Sequence, residues 1–351
     1  MSFTRIGIVG CGNIAPTHIK ALQNIKKYNV VSVCDISKEK AEVLANKYNI
    51  PKAYTDFSLM LQQEKLDIVD ILTPPQVHAA QSIEAMEAGC HVVVEKPMCE
   101  SVEEADQMIK AAKINNVKLS VVHSFLFTPG IRKALNAVKQ GKIGDLLWVD
   151  TIVSIYPLLK WKKYMYKTWY EDLHGGVFGE IIPHGLYTQL GFLGNVKNLS
   201  CIAKKSEQDS TLTPFSEMHV GMECENGIGG LLMSSRIISA YTLIMVRVVG
   251  SHQTILVNVP SATAIKMKSP DTNSMFTRFS MNIQPALQLI SESAVLGTKT
   301  LRRAVKAHMT HEIFFNAFLE SIEKNSPPPV TPEEGREVVR VTNMVFDTLL
   351  K

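Results

Sequence analysis

The chain has 351 residues, 46% hydrophobic and 20% charged, the composition of a soluble globular protein long enough for two domains. Its formal net charge of +4 gives no sign of a nucleic-acid binder, and no apolar run reaches the roughly 18 residues of a membrane span. The six cysteines, at 11, 34, 90, 99, 201 and 224, form no Cys-x-x-Cys pair, which argues against a zinc site or redox dithiol and fits a reducing, cytoplasmic compartment.

The first strand candidate, Arg5 to Val9, begins too early to leave room for a signal peptide. It runs into Gly10-Cys11-Gly12-Asn13-Ile14-Ala15, a G-x-G-x-x-A turn. In a dinucleotide site the first glycine permits the tight turn and the second lets the backbone approach a pyrophosphate. The alanine allows close helix–strand packing. A helix carrying Ile19 and Leu22 follows, with Pro16 near its first turn, where a missing N–H costs least. The free N–H groups at its start would face phosphate.

Val30 to Cys34 reads as a second strand ending at Asp35. That acid lies 23 residues after Gly12, close to the spacing of a carboxylate that binds the adenosine ribose. The competing role for Asp35 is the N-cap of the next helix. A carboxylate here repels a 2′-phosphate, so NAD is favoured, although Ser37 and Lys38 leave NADP open.

The alternation continues with helices over Ala41 to Tyr48 and around Leu59 to Leu61, then a strand over Asp67 to Leu72 that ends in Thr73-Pro74-Pro75. Paired prolines force a turn there. A helix starting near His78 reaches Ala88 and stops at Gly89. The run His91 to Val94 is a short apolar strand that ends abruptly at Glu95-Lys96-Pro97. Ligands of open α/β sheets sit just outside the carboxyl ends of strands, so an amine and a carboxylate are delivered to that position. A helix over Glu103 to Ala112 and a strand over Val117 to Val122 complete a parallel sheet with helices on both faces.

After residue 123 the pattern changes. Pro129 to Val138 reads as a helix, and strands are expected over Leu146 to Ile155, Leu199 to Ala203, His219 to Cys224, Gly229 to Ser235, Leu243 to Val249 and Thr254 to Val259. Glu225-Asn226-Gly227 marks a hairpin turn between two of them. Consecutive short strands and tight turns make this half α+β with a largely antiparallel sheet. The segment from Trp161 to Glu180 concentrates aromatics, among them Trp161, Tyr164, Trp169 and Tyr170, which could pack on the C–H faces of a sugar or pin a loop to the core. The short basic clusters Lys160 to Lys163 and Arg302 to Lys306 read as solvated faces.

Taken together, Gly10-x-Gly12-x-x-Ala15, Thr73-Pro74 with His78, Ala88-Gly89-x-His91-Val92, Glu95-Lys96-Pro97 and Ala105 resemble the Gfo/Idh/MocA oxidoreductases, which include inositol and sugar dehydrogenases. Gly175-Gly176 through His184, and Pro328 through Gly335, extend the resemblance over nearly the whole chain. It implies a Rossmann domain over residues 1–123. Residues 124–351 would form a second, α+β domain with an open, mostly antiparallel mixed sheet, its final helix (332–350) packing back on the first domain. It also implies NAD bound by Gly10, Gly12, Asn13, Ile14, Ala15, Asp35, Thr73, Pro74, His78, Glu95 and Lys96, with a peptide bond before Pro97 that is often cis in relatives. Relatives commonly oligomerise through the exposed sheet face, so a homo-oligomer is expected, with no nucleic acid, membrane or metal involved.

In the second domain relatives carry an aspartate at the Glu180 position and a histidine at the His184 position. A spacing of four puts both on one helical face. Departures from the family are the longer Glu180, Pro183 before the histidine, and Tyr187 where relatives often have a second aspartate. The expected reaction passes hydride between nicotinamide C4 and a secondary alcohol of a sugar, cyclitol or sugar derivative. Lysine ordinarily titrates near about 10.4, so His184 is the expected proton acceptor, Lys96 the electrostatic and orienting partner, and Glu180 the support. Trp161, Tyr164, Trp169 and Tyr187 are the substrate candidates. Two rivals stand beside this reading: a glycoside-processing enzyme that recycles its NAD, and a non-catalytic dinucleotide sensor.

Overall fold

The computed structural model describes residues 4–154, 172–205, 215–235, 244–268, 283–294, 297 and 309–350. The chain divides into two compact units, Met1–Ser124 with Ala307–Arg340, and Phe125–Lys306 with Val341–Lys351.

The first unit is built on six strands: β1 (Thr4–Val9), β2 (Tyr28–Cys34), β3 (Lys52–Tyr54), β4 (Ile68–Ile71), β5 (His91–Glu95) and β6 (Leu119–Val122). They pair in the order β3-β2-β1-β4-β5-β6, all parallel, the doubly wound topology expected from the strand–helix alternation. Parallel strands are covered on both faces, so they read as continuous apolar runs rather than alternating ones. Ile68, Val69, Ile71, Val92, Val93 and Val94 are fully buried, each stabilising the sheet by roughly 1.5–3 kcal/mol.

The intervening helices are α1 (Ala15–Gln23), α2 (Lys38–Tyr48), α3 (Phe57–Gln63), α4 (His78–Glu87) and α5 (Val102–Ile114). Their ends follow the local sequence. Ser37 caps α2 by accepting from Lys40 N–H, so the cap is Ser37 and not Asp35. Ser101 and Glu104 form a reciprocal capping box at the start of α5. Gly89, at φ +84°, follows the end of α4. The short edge strand β3 lacks any alternation long enough to reveal it, and it forms because β2 offers it a free edge.

The second unit contains α6 (Pro129–Lys139), β7 (Leu146–Ser154), α7 (Val177–Leu193), β8 (Val196–Lys205), β9 (Phe215–Cys224), β10 (Gly229–Ser235), β11 (Ile244–Gly250), β12 (Gln253–Asn258) and β13 (Thr263–Lys268). Its seven strands run β13-β12-β11-β7-β10-β9-β8. Every pair is antiparallel except β10 with β7, so the sheet is mixed as the resemblance implied. Helix α7 lies close on this sheet because Gly185 has no side chain; a Cβ there would meet Leu232 at 2.6 Å and Val153 at 2.7 Å. Gln189 then reaches the sheet backbone, donating to Val149 O at 2.7 Å.

Two further helices close the chain, α8 (Met309–Glu323) and α9 (Pro332–Leu349). Helix α8 belongs to the first unit, where Tyr28 donates to Phe315 O at 2.6 Å and Phe314, Phe315 and Phe318 are fully buried. The early part of α9 also packs there: a Cβ on Gly335 would stand 2.5 Å from Val121.

Candidate functional site

The glycine turn joins β1 to α1 at the point where the strand order reverses, between β1 and β4. Gly10 has φ +95°, and a Cβ there would come within 2.7 Å of the Leu72 carbonyl and 2.8 Å of Thr73 N. The turn is therefore wedged against the end of β4 and tolerates no side chain. Gly12 is different. It is exposed, and a Cβ there would meet nothing within 4 Å. Its lack of a side chain leaves open room beside the start of α1, the space a pyrophosphate needs. Asn13 is exposed, Ile14 half-buried and Ala15 fully buried under α1.

Asp35 stands at the tip of β2 beside this turn. Its Oδ2 accepts from Cys11 N–H at 2.8 Å and its Oδ1 from Ser37 N–H at 2.9 Å. A carboxylate has about four acceptor positions, so two hydrogen bonds orient it and leave capacity for ribose hydroxyls. The next residue, Ile36, is 97% exposed. An apolar side chain fully in water beside that acid offers a flat contact for an adenine ring, a feature the sequence reading missed. The room at Gly12 and the oriented acid fit a dinucleotide.

At the end of β4, Thr73 and Pro74 are half-buried, and Thr73 Oγ1 donates to Gln81 at 2.6 Å. His78 is placed otherwise than expected. It is 1% exposed, with Nε2 2.6 Å from Thr73 O and Nδ1 2.9 Å from Pro97 O. Both nitrogens lie against backbone carbonyls, one of them as the N–H donor of a neutral ring, so the His78 side chain braces two loops. Burial holds its pKa below the ordinary histidine value.

The end of β5 brings Glu95 and Lys96 to the same rim, and the Lys96–Pro97 bond is cis. Lys96 is only 9% exposed. Its backbone N–H donates to Glu95 Oε2 at 3.0 Å. Glu95 Oε1 lies 3.0 Å from Nε2 of His18, whose Nδ1 lies 2.9 Å from Asp70 Oδ2. His18 and Asp70 are both fully buried. Burial alone would lower the His18 pKa, but the Asp70 charge and hydrogen bonds from Asp70 and Glu95 push it up to about 10. Burial raises Asp70. Burial opposes ionisation of Glu95 too, yet His18, His311 and Lys96 together hold it below the usual carboxylate range. Nearby, burial pushes His123 down to about 3 and keeps it neutral.

In the second unit the candidate residues sit on α7. Gly175, at φ +87°, precedes it and lets the Phe346 ring occupy the place where a Cβ would be. Glu180 and His184 are half-buried one helical turn apart. The helix continues through Pro183, which has no N–H for the Gly179 carbonyl. His184 Nδ1 lies 2.8 Å from the Tyr187 hydroxyl, and its ring centroid is 4.7 Å from that of Phe125. Tyr187 is 1% exposed, and its hydroxyl also accepts from Phe125 N–H at 3.3 Å. It therefore stands as a buried support of His184. Trp161, Tyr164 and Trp169 lie outside the described residues, as do both basic clusters.

The sequence model of the "Oxidoreductase family, NAD-binding Rossmann fold" matches residues 4–123, and that of the "GFO/IDH/MocA C-terminal domain" matches residues 131–256. D-apiose dehydrogenase of Paraburkholderia graminis is 30% identical over 141 residues, 40% of this chain and 38% of that protein. A glycosyl hydrolase family 109 protein of Shewanella putrefaciens is 28% identical over 200 residues, 53% of this chain and 43% of that protein. The chain thus matches less than half the length of these two relatives. The structure of a levoglucosan dehydrogenase in complex with NADH superposes with a TM-score of 0.81 at 17% identity, covering 100% of this chain and 97% of that one.

Proposed function

The chain belongs to the GFO/IDH/MocA oxidoreductases, with their NAD-binding Rossmann fold, and from that membership we propose that it is an NAD-dependent dehydrogenase of a secondary alcohol on a sugar, cyclitol or sugar derivative. The observation that carries this reading is the rim of the parallel sheet, where the open space at Gly12, the oriented Asp35 carboxylate and the Glu95–Lys96 pair stand at the carboxyl ends of β1, β2 and β5. Bound NAD would supply a hydride acceptor. Gly12 would admit its phosphates, Asp35 would accept from its adenosine ribose, and Ile36 would face its adenine. Asp35 favours NAD over NADP because its charge opposes a 2′-phosphate.

Alcohol oxidation also releases the hydroxyl proton, so a base must take it. We assign that role to His184. The Tyr187 hydroxyl on Nδ1 and the Phe125 ring hold the imidazole in place for that exchange. Lys96 is assigned to polarise the substrate oxygen, and Glu180 to support the histidine. A panel of polyols, sugars and sugar derivatives, read by NADH absorbance, tests the assignment. It is expected to yield at least one substrate whose turnover collapses in both Lys96→Ala and His184→Ala. Wild-type turnover in either variant on that substrate removes its residue from the mechanism.

A second reading draws on the glycosyl hydrolase family 109 relative: glycoside cleavage in which NAD is reduced and reoxidised within one cycle. Cleavage of a glycoside without net NADH would favour it.

The outward face of the mixed sheet supports self-association. Ile152, Met233 and Met245 stand side by side on β7, β10 and β11 and remain partly exposed. Light scattering of the purified chain is expected to show a dimer or larger; a monomer at micromolar concentration would remove this part.

A further inference from the structure

His18 has no exposed surface, and both its ring nitrogens face carboxylates, Asp70 at 2.9 Å and Glu95 at 3.0 Å. An imidazole donates from both nitrogens only when it carries two protons. The ring faces are covered by His311, 4.8 Å away between centroids, and by the edge of Phe315 at 5.4 Å. Glu95 is held from its other side as well, by Lys96 N–H on Oε2. The charged and titratable groups facing the bridge are Asp70 of β4 and His311 of α8 beside the ring, and Lys96 after β5, His123 after β6 and His311 facing Glu95.

We propose that His18 is a positioning residue of the cofactor site: as an imidazolium bridging Asp70 and Glu95, it pins the Glu95 carboxylate at the tip of β5, where that carboxylate accepts from the bound dinucleotide. The inference rests on the NAD reading above. Without the bridge, Glu95 would be a carboxylate at a largely buried rim with one oxygen unbonded. It would then swing away or take up a proton, and lose its fixed acceptor geometry. Asp70 secures the second proton by facing Nδ1 inside a strand with no access to water. Ligand atoms of His18, Glu95 and His311 also lie within 4.8 Å of one another, an arrangement open to a divalent cation, so metal content is one arm of the test. A ring that holds its proton near pKa 10 between two carboxylates favours the proton over the cation.

The experiment has three readouts. Imidazole nitrogen shifts of the 15N-labelled wild-type apoprotein are expected to show one of the ten histidines doubly protonated up to pH 8.5, a signal absent from His18→Gln. Calorimetric NAD+ binding is expected to weaken roughly fivefold or more in His18→Gln, about what one charge-assisted hydrogen bond contributes. Glu95→Gln should weaken it comparably, and the double variant should be no weaker than Glu95→Gln alone. Metal analysis of the wild type should find less than a tenth of an equivalent of zinc or other divalent metal. A neutral His18 at pH 7, wild-type affinity in folded His18→Gln, additive losses, or a stoichiometric metal lost in His18→Gln would each overturn the proposal. If His18→Gln does not fold, Asp70→Asn replaces it, with the expectation that the doubly protonated signal disappears below pH 8. Failure of the wild type to bind NAD+ would instead sink the cofactor reading, while the imidazole signal still reports the His18 charge.

Discussion

Most candidate residues of the first unit are held by backbone, Glu95 on the His18 ring being the exception, and those of the second by other side chains. Gly10 is wedged against the Leu72 carbonyl, Asp35 takes two backbone N–H groups, and His78 is clamped between two carbonyls. His184 is instead held by the Tyr187 hydroxyl and the Phe125 ring, on a helix that runs on through Pro183. Backbone contacts depend on the strand ends and survive changes in neighbouring side chains. Side-chain contacts change with each substitution. The first arrangement suits a cofactor of constant shape, and the second suits a substrate that differs among relatives.

The largest effect should come from the first unit. Gly10→Val places a branched side chain at φ +95° against the end of β4, and the strain and clash should exceed about 2 kcal/mol. Soluble yield, thermal midpoint and NAD+ binding are all expected to fall. Retained NAD+ affinity would mean that the turn is not wedged as described. Next, Lys96→Ala is expected to lower turnover about a hundredfold or more, as removal of an electrostatic group from a reacting oxygen does, with a smaller loss of NAD+ affinity. Asp35→Ala removes an oriented acceptor. It should weaken NAD+ binding by roughly tenfold and narrow the preference for NAD over NADP.

The buried His18 gives a smaller effect with a defined sign. Its pKa is raised from 6.5 to about 10 on folding. The stabilisation it contributes is therefore fully present below pH 6.5 and lost as pH rises through about 10. Glu95 is shifted the other way, so its contribution is present above the usual carboxylate range and is lost on acidification. Urea midpoints measured from pH 6 to 10.5 should decline at the alkaline end in wild type, and less steeply in His18→Gln. The smallest change is expected from Tyr187→Phe, which removes one hydroxyl from His184 and from Phe125 N–H at a cost of about 1 kcal/mol. The substrate pH profile should shift more than the thermal midpoint. The reverse pattern would make Tyr187 a packing residue and erase the contrast between the two units.

Much of this contrast was legible in the sequence. Apolar runs that stop at charged or proline residues located β1, β2, β4, β5 and β6, and the glycine turn and Asp35 fell where the spacing put them. Asp70 was legible in principle, as an acid inside the apolar run Ile68 to Ile71, but its meaning was not, because its partner His18 is 52 residues away in sequence. His78 is a related case. The family resemblance placed it among the cofactor residues, and only the fold shows its two nitrogens against the Thr73 and Pro97 carbonyls. Tyr187 was a substrate candidate because it stands where relatives often have an aspartate, and no local pattern showed its burial. Helix α8 escaped notice, although its apolar positions, Phe314, Phe315 and Phe318, are as hydrophobic as those of α1.

Periodicity, turn chemistry and motif spacing are local properties, and they were enough to determine a parallel dinucleotide-binding half, a mostly antiparallel second half and a charged strand end at Glu95-Lys96. Tertiary structure alone decided which charges meet. The Asp70–His18–Glu95 bridge joins three elements through distances of 2.9 and 3.0 Å, and its protons are held, against the cost of burial, by two carboxylates that no local pattern brings together. The parallel pairing of β10 with β7, inside an otherwise antiparallel sheet, is likewise long-range, joining strands about 80 residues apart in sequence.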